Sequence, residues 1–183
     1  MIRTCDVIFS TCGLILLFPI FILITIICYL ETKSPIFKQV RLGMNKKKFI
    51  LYKFRSMRIE TKSVSTHLVD SSSITKFGAI LRKTKLDELP QLWNVFIGDM
   101  SLVGPRPGLA NQKKLTYQRH KLNVFSVRPG ITGLSQINKI DMSSPELLAQ
   151  MDSKMIKSLN IRKYFKIIFL TMIGRGAGDR IMY

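Results

Sequence analysis

The chain has 183 residues, of which 46% are hydrophobic, and its 29 Lys and Arg against 11 Asp and Glu give a net charge of +18. This length corresponds to a single domain that buries a core of its own, and the positive charge predicts an anionic partner. Because the hydrophobic content is high, an anionic membrane surface or a phosphorylated substrate is favoured over nucleic acid.

Cysteine and histidine usage argues against a disulfide-rich or zinc-binding protein. The three cysteines, Cys5, Cys12 and Cys28, all lie in an apolar N-terminal segment, so they form no disulfide framework and fit a reducing compartment. The two histidines, His67 and His120, stand alone without partners at metal-binding spacing.

The first predicted element is the apolar segment Val7–Leu30, whose 24 residues include no charge. A helix of that length spans roughly 36 Å, enough to cross a hydrocarbon core of about 30 Å. Pro19 disfavours helical geometry at Phe18 before it, so a kink or break is expected there. From the residues alone, a kinked spanning helix is favoured over a re-entrant helix–break–helix hairpin, and the basic residues from Lys33 onward predict a cytoplasmic body.

Two extended segments and a polar loop are predicted next. Ile36–Leu42 and Phe49–Met57 alternate in a way that predicts a β-hairpin, with Lys53 and Arg55 on one face. The serine-rich stretch Ile59–Thr75 indicates an exposed loop, which is either a plain surface loop or a lid over a site.

The remainder of the chain is mostly helical by its pattern. Helices are predicted at Ile74–Arg82, Glu88–Ile97 with a stop at Gly98, Leu109–Asn123, Pro145–Leu159 and Ile161–Ile173. The last of these is apolar on one side and basic on the other, which suits a helix in the membrane interface, although a buried helix with one basic edge fits nearly as well. The predicted fold class is α+β, mostly helical, with a small β-hairpin.

An adjacent carboxylate pair, Asp87 and Glu88, lies close in sequence to Arg82, Lys85 and Arg106. Nearby positive charge favours the ionised form of a carboxyl group, so both acids are expected to stay charged at neutral pH. An ionised pair can bind a divalent metal, attack an electrophile or accept a proton, while arginines bind phosphate oxygens in a two-pronged geometry. The pattern therefore indicates phosphoryl transfer.

The same residues also fit an ordinary helix start. Asp87 is then near the N-cap, Glu88 is in the first turn, and Pro90 stands where its missing N–H costs nothing. The two interpretations are compatible, because a helix N-terminus is itself favourable for anions. The residues alone leave both open.

Two Arg-Pro turns follow the acid pair. Prolines on both sides of Arg106 stiffen the backbone and present the guanidinium with little conformational loss, unless the segment is only a rigid turn with a solvated arginine. The second turn contains Arg128, and Gly130 and Gly133 after it indicate special backbone angles or the close approach of a ligand.

Four segments occur in order along the chain: the apolar N-terminal helix with its central Pro19, YKFRSM at Tyr52–Met57, LRKTKLDELPQLWNVFIGDMSLVGPRP at Leu81–Pro107, and VRPGITGLSQIN at Val127–Asn138. In this order and spacing they resemble the bacterial sugar transferase family, the small monotopic phosphoglycosyl transferases, over nearly the whole chain. The chain departs from many relatives after Asn138, where Lys139-Ile140-Asp141 replaces Gly-Arg.

The resemblance implies an enzyme that moves a sugar 1-phosphate from a UDP-sugar to undecaprenyl phosphate and releases UMP. It implies a ping-pong route with Mg²⁺, at the first membrane step of glycoconjugate synthesis, with downstream glycosyltransferases as further partners. Asp87 would be the nucleophile that forms a covalent phosphosugar intermediate, and Glu88 would help hold the metal or deprotonate the incoming lipid phosphate. The alternative is a non-catalytic, membrane-anchored basic protein that binds anionic lipid or nucleic acid.

The resemblance also implies positions for the remaining functional residues. The basic residues in the motifs would bind the substrate phosphates: Arg82, Arg106, Arg128, Lys53 and Arg55. Asp99 is a further candidate for the same site. Residues 1–32 would form a re-entrant membrane helix broken at Phe18 and Pro19, reversing the preference drawn from the residues alone. Residues 33–183 would form the catalytic domain at the cytoplasmic face of the bacterial inner membrane, without a nucleic-acid partner.

Overall fold

The computed structural model describes residues 1–60 and 73–174. Its elements in chain order are α1 (Ile2–Leu16), α2 (Phe18–Thr32), β1 (Ile36–Leu42), β2 (Lys48–Phe54), α3 (Lys76–Thr84), α4 (Gln91–Ile97), β3 (Ser101–Val103), α5 (Lys113–Lys121), β4 (Gly130–Thr132), α6 (Leu134–Ile137), α7 (Pro145–Ser158) and α8 (Ile161–Met172). The predicted mostly helical class with a small antiparallel hairpin is confirmed for these residues. Most of the predicted loop Ile59–Thr75, together with His67, lies outside them.

The N-terminal apolar segment forms two helices rather than one. Leu17 separates α1 from α2, and the helix axis bends there by 63°. Pro19 lies in the first turn of α2, where a missing N–H leaves no bond unmade. Within the described ranges, no single helix has both the length and the apolar character to cross a membrane, whereas this bent pair reaches both when its two helices are taken together.

Helix α1 is joined to the rest of the chain by a buried carboxylate. Asp6 is 2% exposed, and its Oδ1 accepts hydrogen bonds from the Ser101 hydroxyl (3.0 Å), the Leu102 amide (2.9 Å) and the Tyr164 hydroxyl (2.7 Å). Burial and the contact with Asp6 raise the pKa of Tyr164, so its hydroxyl stays protonated and donates. These three bonds connect α1 with β3 and α8.

A second polar contact joins α1 to helix α4. Arg3 donates from Nη1 to the Val95 carbonyl (2.6 Å) and from Nη2 to the Phe96 carbonyl (2.9 Å). These carbonyls lie at the C-terminal end of α4, where the helix dipole favours a cation. Helix α1 is therefore bound to the segment that follows the acid pair.

The predicted hairpin is confirmed, with Ile36 opposite Phe54 and Leu42 opposite Lys48 in an antiparallel register. Strand β2 ends at Phe54, so the prediction that Lys53 and Arg55 share one strand face is wrong. Arg55 follows the strand and donates to the Ser34 carbonyl (2.8 Å).

A short parallel pair was not predicted from the sequence. Ser101 of β3 lies opposite Gly130 of β4, and Val103 lies opposite Thr132. A Cβ atom at Gly130 would come within 2.0 Å of the Gly104 amide nitrogen. Glycine is therefore required at position 130 because the backbone of Gly104 lies so close to it. This contact explains the glycine without a ligand.

The predicted helices differ from the observed ones mainly at their starts. Leu109–Asn123 was predicted to be helical, but α5 begins at Lys113 because the Gln112 side chain accepts the Leu109 amide (2.8 Å) and stabilises a turn there. Glu88–Ile97 was predicted to be one helix, but α4 begins at Gln91. The reason for this second difference lies in the conformation of the acid pair.

Candidate active site

The acid pair lies in a 3₁₀ turn between α3 and α4. Lys85 ends α3 in a left-handed conformation (φ 60°), and Leu86–Glu88 form the next turn. A left-handed non-glycine residue costs about 1 kcal/mol, so the surrounding structure must hold this turn in place. Helix α4 has Pro90 at its N-cap and receives no side-chain cap, so the interpretation of Asp87 as a helix cap is wrong.

Glu88 is tied to two cations from distant parts of the chain. Its Oε1 accepts hydrogen bonds from Lys53 Nζ (2.9 Å) in β2 and from Arg106 Nη2 (3.0 Å) between the two prolines. All three side chains are less than one-fifth exposed. Charge-assisted bonds of this kind fix geometry more strongly than neutral ones, so Glu88 sets the positions of both cations.

Asp87 is 8% exposed, and its pKa is raised to about 6. Burial is the largest cause; Lys53 lowers the pKa, Glu88 raises it, and Arg82 and Arg106 lower it. The nearby positive charges lower the pKa of Asp87 as expected, but burial outweighs them and the net shift is upward. With a pKa of about 6, Asp87 is still mostly ionised at pH 7, as the sequence predicted.

The structure brings three of the five predicted phosphate-binding residues to the acid pair. Lys53, Arg82 and Arg106 all act on the Asp87 carboxyl. Lys85, which sequence reasoning did not assign to phosphate, belongs to the same group: burial lowers its pKa, while Glu88 raises it and Arg106 lowers it. Its position two residues before Asp87 was the available signal.

The other two predicted phosphate-binding residues make contacts elsewhere. Arg128 Nε donates to the Gly98 carbonyl (2.8 Å) at the end of α4, and Arg55 contacts Ser34. Asp99 receives a long hydrogen bond from the Asn94 amide (3.5 Å). The roles assigned to these residues stay predictions.

Residues 1–175 match the protein family described as bacterial sugar transferase. The chain belongs to the bacterial sugar transferase family. It is 43% identical to the uncharacterized sugar transferase EpsL of Bacillus subtilis, over 84% of this chain and 76% of EpsL. This confirms the family predicted from the four motifs.

Two relatives in the bacterial sugar transferase family carry more specific names. A UDP-glucose:undecaprenyl-phosphate glucose-1-phosphate transferase of Klebsiella pneumoniae is 40% identical over 91% of this chain. A transferase of the same name from Escherichia coli is 36% identical over 93% of this chain. The matches cover only 38% and 39% of these two relatives, so the chain corresponds to less than two-fifths of each.

Asn94 joins helix α4 to strand β2, although the sequence did not single it out. Its side chain is fully buried, accepts the Tyr52 amide (3.1 Å) and donates to the Ile50 carbonyl (2.7 Å). Asn94 thereby pairs with the backbone of β2 and fixes α4 against the strand that carries Lys53. An asparagine inside an apolar helix, where its amide competes with backbone bonds, was the only signal.

The family resemblance implies Mg²⁺. The site offers this metal two adjacent carboxylates, those of Asp87 and Glu88. Among residues 1–60 and 73–174, no three His, Cys, Asp or Glu side chains are grouped to hold a metal ion. Mg²⁺ commonly binds through one or two carboxylates together with water and substrate phosphates. Asp87 and Glu88 therefore fit a metal that arrives with a phosphorylated substrate better than a metal held by protein alone.

Proposed function

We propose that this chain is a membrane-bound phosphoglycosyl transferase, which moves a sugar 1-phosphate from a UDP-sugar to undecaprenyl phosphate and releases UMP. The observation that carries the proposal is the buried Asp87 carboxylate, mostly ionised at neutral pH, beside a Glu88 that holds Lys53 and Arg106. The names of the Klebsiella and Escherichia relatives support the donor and acceptor classes.

In the first step, an Asp87 oxygen attacks the phosphorus that carries the sugar. The bond from this phosphorus to the bridging oxygen breaks, and UMP leaves with that electron pair. Lys53, Arg82 and Arg106 stabilise the negative charge on the diphosphate, and positioned cations of this kind are a large contribution to phosphoryl transfer. The product is a covalent phosphosugar on Asp87, which divides one difficult transfer into two easier ones.

In the second step, a phosphate oxygen of the lipid attacks the same phosphorus, and the Asp87 carboxylate leaves. Glu88 keeps Lys53 and Arg106 directed at the phosphate during both steps. Asp87 and Glu88 would hold Mg²⁺ together with the substrate phosphates, and the metal would neutralise negative charge on those phosphates. Downstream glycosyltransferases would then extend the lipid-linked sugar.

The exposed surface supports placing this reaction at a membrane. Large apolar side chains are exposed on α1, α2, α4 and α8, including Phe9, Leu23, Trp93 and Phe169. Exposed apolar side chains on four helices support the proposal that these helices contact lipid. We propose that α1 and α2 form a re-entrant pair with both ends at the cytoplasmic face of the inner membrane, and that α8 lies in the interface.

The reaction is tested by measuring UMP release from a panel of UDP-sugars, with purified protein, undecaprenyl phosphate and Mg²⁺ in detergent or lipid. We expect UMP with at least one donor, and release that continues only while the lipid phosphate is present. UDP as the nucleotide product, or no nucleotide release from a panel that includes glucose, galactose and N-acetylated sugars, would contradict the proposal.

The rate of the first step should fall as the pH is lowered through about 6. Asp87 attacks only when ionised, and its pKa of about 6 places half-protonation at that pH. The measurement is the single-turnover burst of UMP without lipid acceptor. The lipid is left out because its own phosphate monoester titrates near pH 6 and would obscure the titration of Asp87.

A charge change tests whether Asp87 is the group that titrates. Lys53→Met removes the charge that most lowers the pKa of Asp87, so the acid limb should move to higher pH. Lys48→Met, at the exposed other end of β2, is the matched control and should leave the limb in place. A limb that stays at the same pH in both variants would assign the titration to another group.

A further inference from the structure

The segment 105–108, which carries Arg106 toward Glu88, is bound through four successive carbonyls. Prolines at 105 and 107 have no N–H, so the segment has few donors with which to build its own hydrogen bonds. Each carbonyl instead accepts from another part of the chain: Pro105 from the Gly130 amide (2.9 Å), Arg106 from Arg119 Nη1 (2.8 Å), Pro107 from Arg41 Nη1 (3.0 Å) and Gly108 from the Leu42 amide (3.0 Å). Two of these four donors are arginine side chains.

Arg119 is itself held rigidly. It is 3% exposed, and both its Nε (3.0 Å) and its Nη2 (2.6 Å) donate to Oδ2 of Asp152, which is fully buried. The other oxygen of Asp152 accepts the Ser135 hydroxyl (2.8 Å). The third nitrogen of the fork, Nη1, is thereby directed at the Arg106 carbonyl.

The burial of this ion pair is better explained by geometry than by stability. A buried ion pair often adds nothing to stability compared with apolar side chains of the same volume. A planar guanidinium, however, can bind a carboxylate on one edge and a carbonyl with its remaining nitrogen. Arg41, which is 9% exposed, provides the equivalent bond to the neighbouring Pro107 carbonyl.

We propose that Arg119, held by Asp152, and Arg41 are positioning residues of this active site. They hold two successive carbonyls, those of Arg106 and Pro107. The Arg106 guanidinium is thereby directed at Glu88 and, during turnover, at the diphosphate of the donor. This role rests on the proposed function, but the rigidity of segment 105–108 does not. Neither arginine touches the reacting atoms, and both act through the backbone of Arg106.

Arg119→Lys tests the proposal because it keeps the positive charge but loses the fork that binds Asp152 and the Arg106 carbonyl together. Since misplacement of a binding group by 1 Å can cost about 100-fold, we expect kcat/KM for the UDP-sugar to fall by about 10- to 100-fold. Because Arg106 is assigned to the phosphate in both steps, kcat/KM for the lipid should fall as well. Lys114→Gln is the matched control, because it breaks an exposed ion pair with Glu146 between the same helices, α5 and α7.

A double-mutant cycle separates positioning from general damage. In an Arg106→Ala background, Arg119→Lys should cause little further loss, because the side chain that it positions is already gone. A loss that simply adds to that of Arg106→Ala would show that Arg119 acts elsewhere, and would overturn the proposal.

Amide hydrogen exchange gives a readout that does not depend on activity. Arg119→Lys should accelerate exchange in residues 104–109 while Lys114→Gln does not, and unchanged exchange there in Arg119→Lys would overturn the proposal even in an active enzyme. Faster exchange in a protein whose wild type releases no UMP would instead contradict the proposed function and leave the positioning intact. If Arg119→Lys fails to fold, Arg119→Met with Asp152→Leu removes the donor and the unpaired charge together, and the same exchange result is expected.

Discussion

Asp87→Asn is expected to abolish UMP release, lowering the rate by at least about 1,000-fold, as is typical for loss of a nucleophile. Asparagine has nearly the same shape as aspartate, but its amide does not attack phosphorus. The rate is measured by single-turnover UMP release, and Asp141→Asn, whose carboxylate is bonded to Ser143, is the matched control. Substantial residual release by Asp87→Asn would contradict the role of Asp87 as the nucleophile.

The same variant should fold at least as well as the wild type. The pKa of Asp87 rises from 3.8 to about 6 on folding, so ionising it in the folded protein costs up to about 3 kcal/mol. This cost is absent below about pH 4 and complete above about pH 6, because the unfolded chain gives up its proton first as the pH rises. At pH 7, asparagine avoids that cost, so the thermal unfolding midpoint should stay the same or increase.

A mass measurement examines the intermediate directly. Incubation of the wild type with a reactive UDP-sugar, without lipid acceptor, should add one sugar phosphate to the protein, and the adduct should map to Asp87. The adduct should be absent from Asp87→Asn and present in Asp141→Asn. Turnover by a wild type that never shows the adduct would favour direct transfer between donor and lipid.

Asp152→Ala is expected to lower the free energy of unfolding by about 3 to 5 kcal/mol, because it leaves the Arg119 charge buried without its partner. The Ser135 hydroxyl loses its acceptor in the same variant. The unfolding midpoint in detergent should fall by about 10 °C for a chain of this size.

Two further variants test whether the loss of stability in Asp152→Ala comes from the unpaired charge of Arg119. Lys114→Gln breaks an ion pair between the same two helices, but both side chains are largely exposed, so the expected cost is below about 1 kcal/mol. Arg119→Met combined with Asp152→Leu removes both buried charges and should recover most of the stability. A mild effect of Asp152→Ala, similar to that of Lys114→Gln, would show that water reaches the Arg119 guanidinium.

The sequence was most informative where the functional residues are neighbours in the chain. Asp87 and Glu88 were identified because they lie next to each other among basic residues, and the hairpin followed from simple alternation. The raised pKa of Asp87 was missed because local charge is visible in the sequence, whereas burial depends on packing from elsewhere. Sequence proximity therefore predicted the members of the site but not their electrostatics.

Buried polar residues were the main omission. Arg119 lies in the polar sequence KKLTYQRHK, where nothing separates a buried arginine from a solvated one. Asp152 has the same ambiguity in α7, and the parallel pair β3–β4 has strands of three residues, too short for a periodic signal. Each of these features depends on contacts between distant segments, which a local pattern does not record.

The three hydrogen bonds of Asp6 also affect the order in which the protein is assembled during synthesis. Asp6 is translated before its partners, which are encoded 95, 96 and 158 residues later. Contacts of such long sequence separation form slowly and leave incomplete intermediates exposed meanwhile. Helix α1 therefore acquires its full set of hydrogen bonds only after both β3 and α8 have been translated.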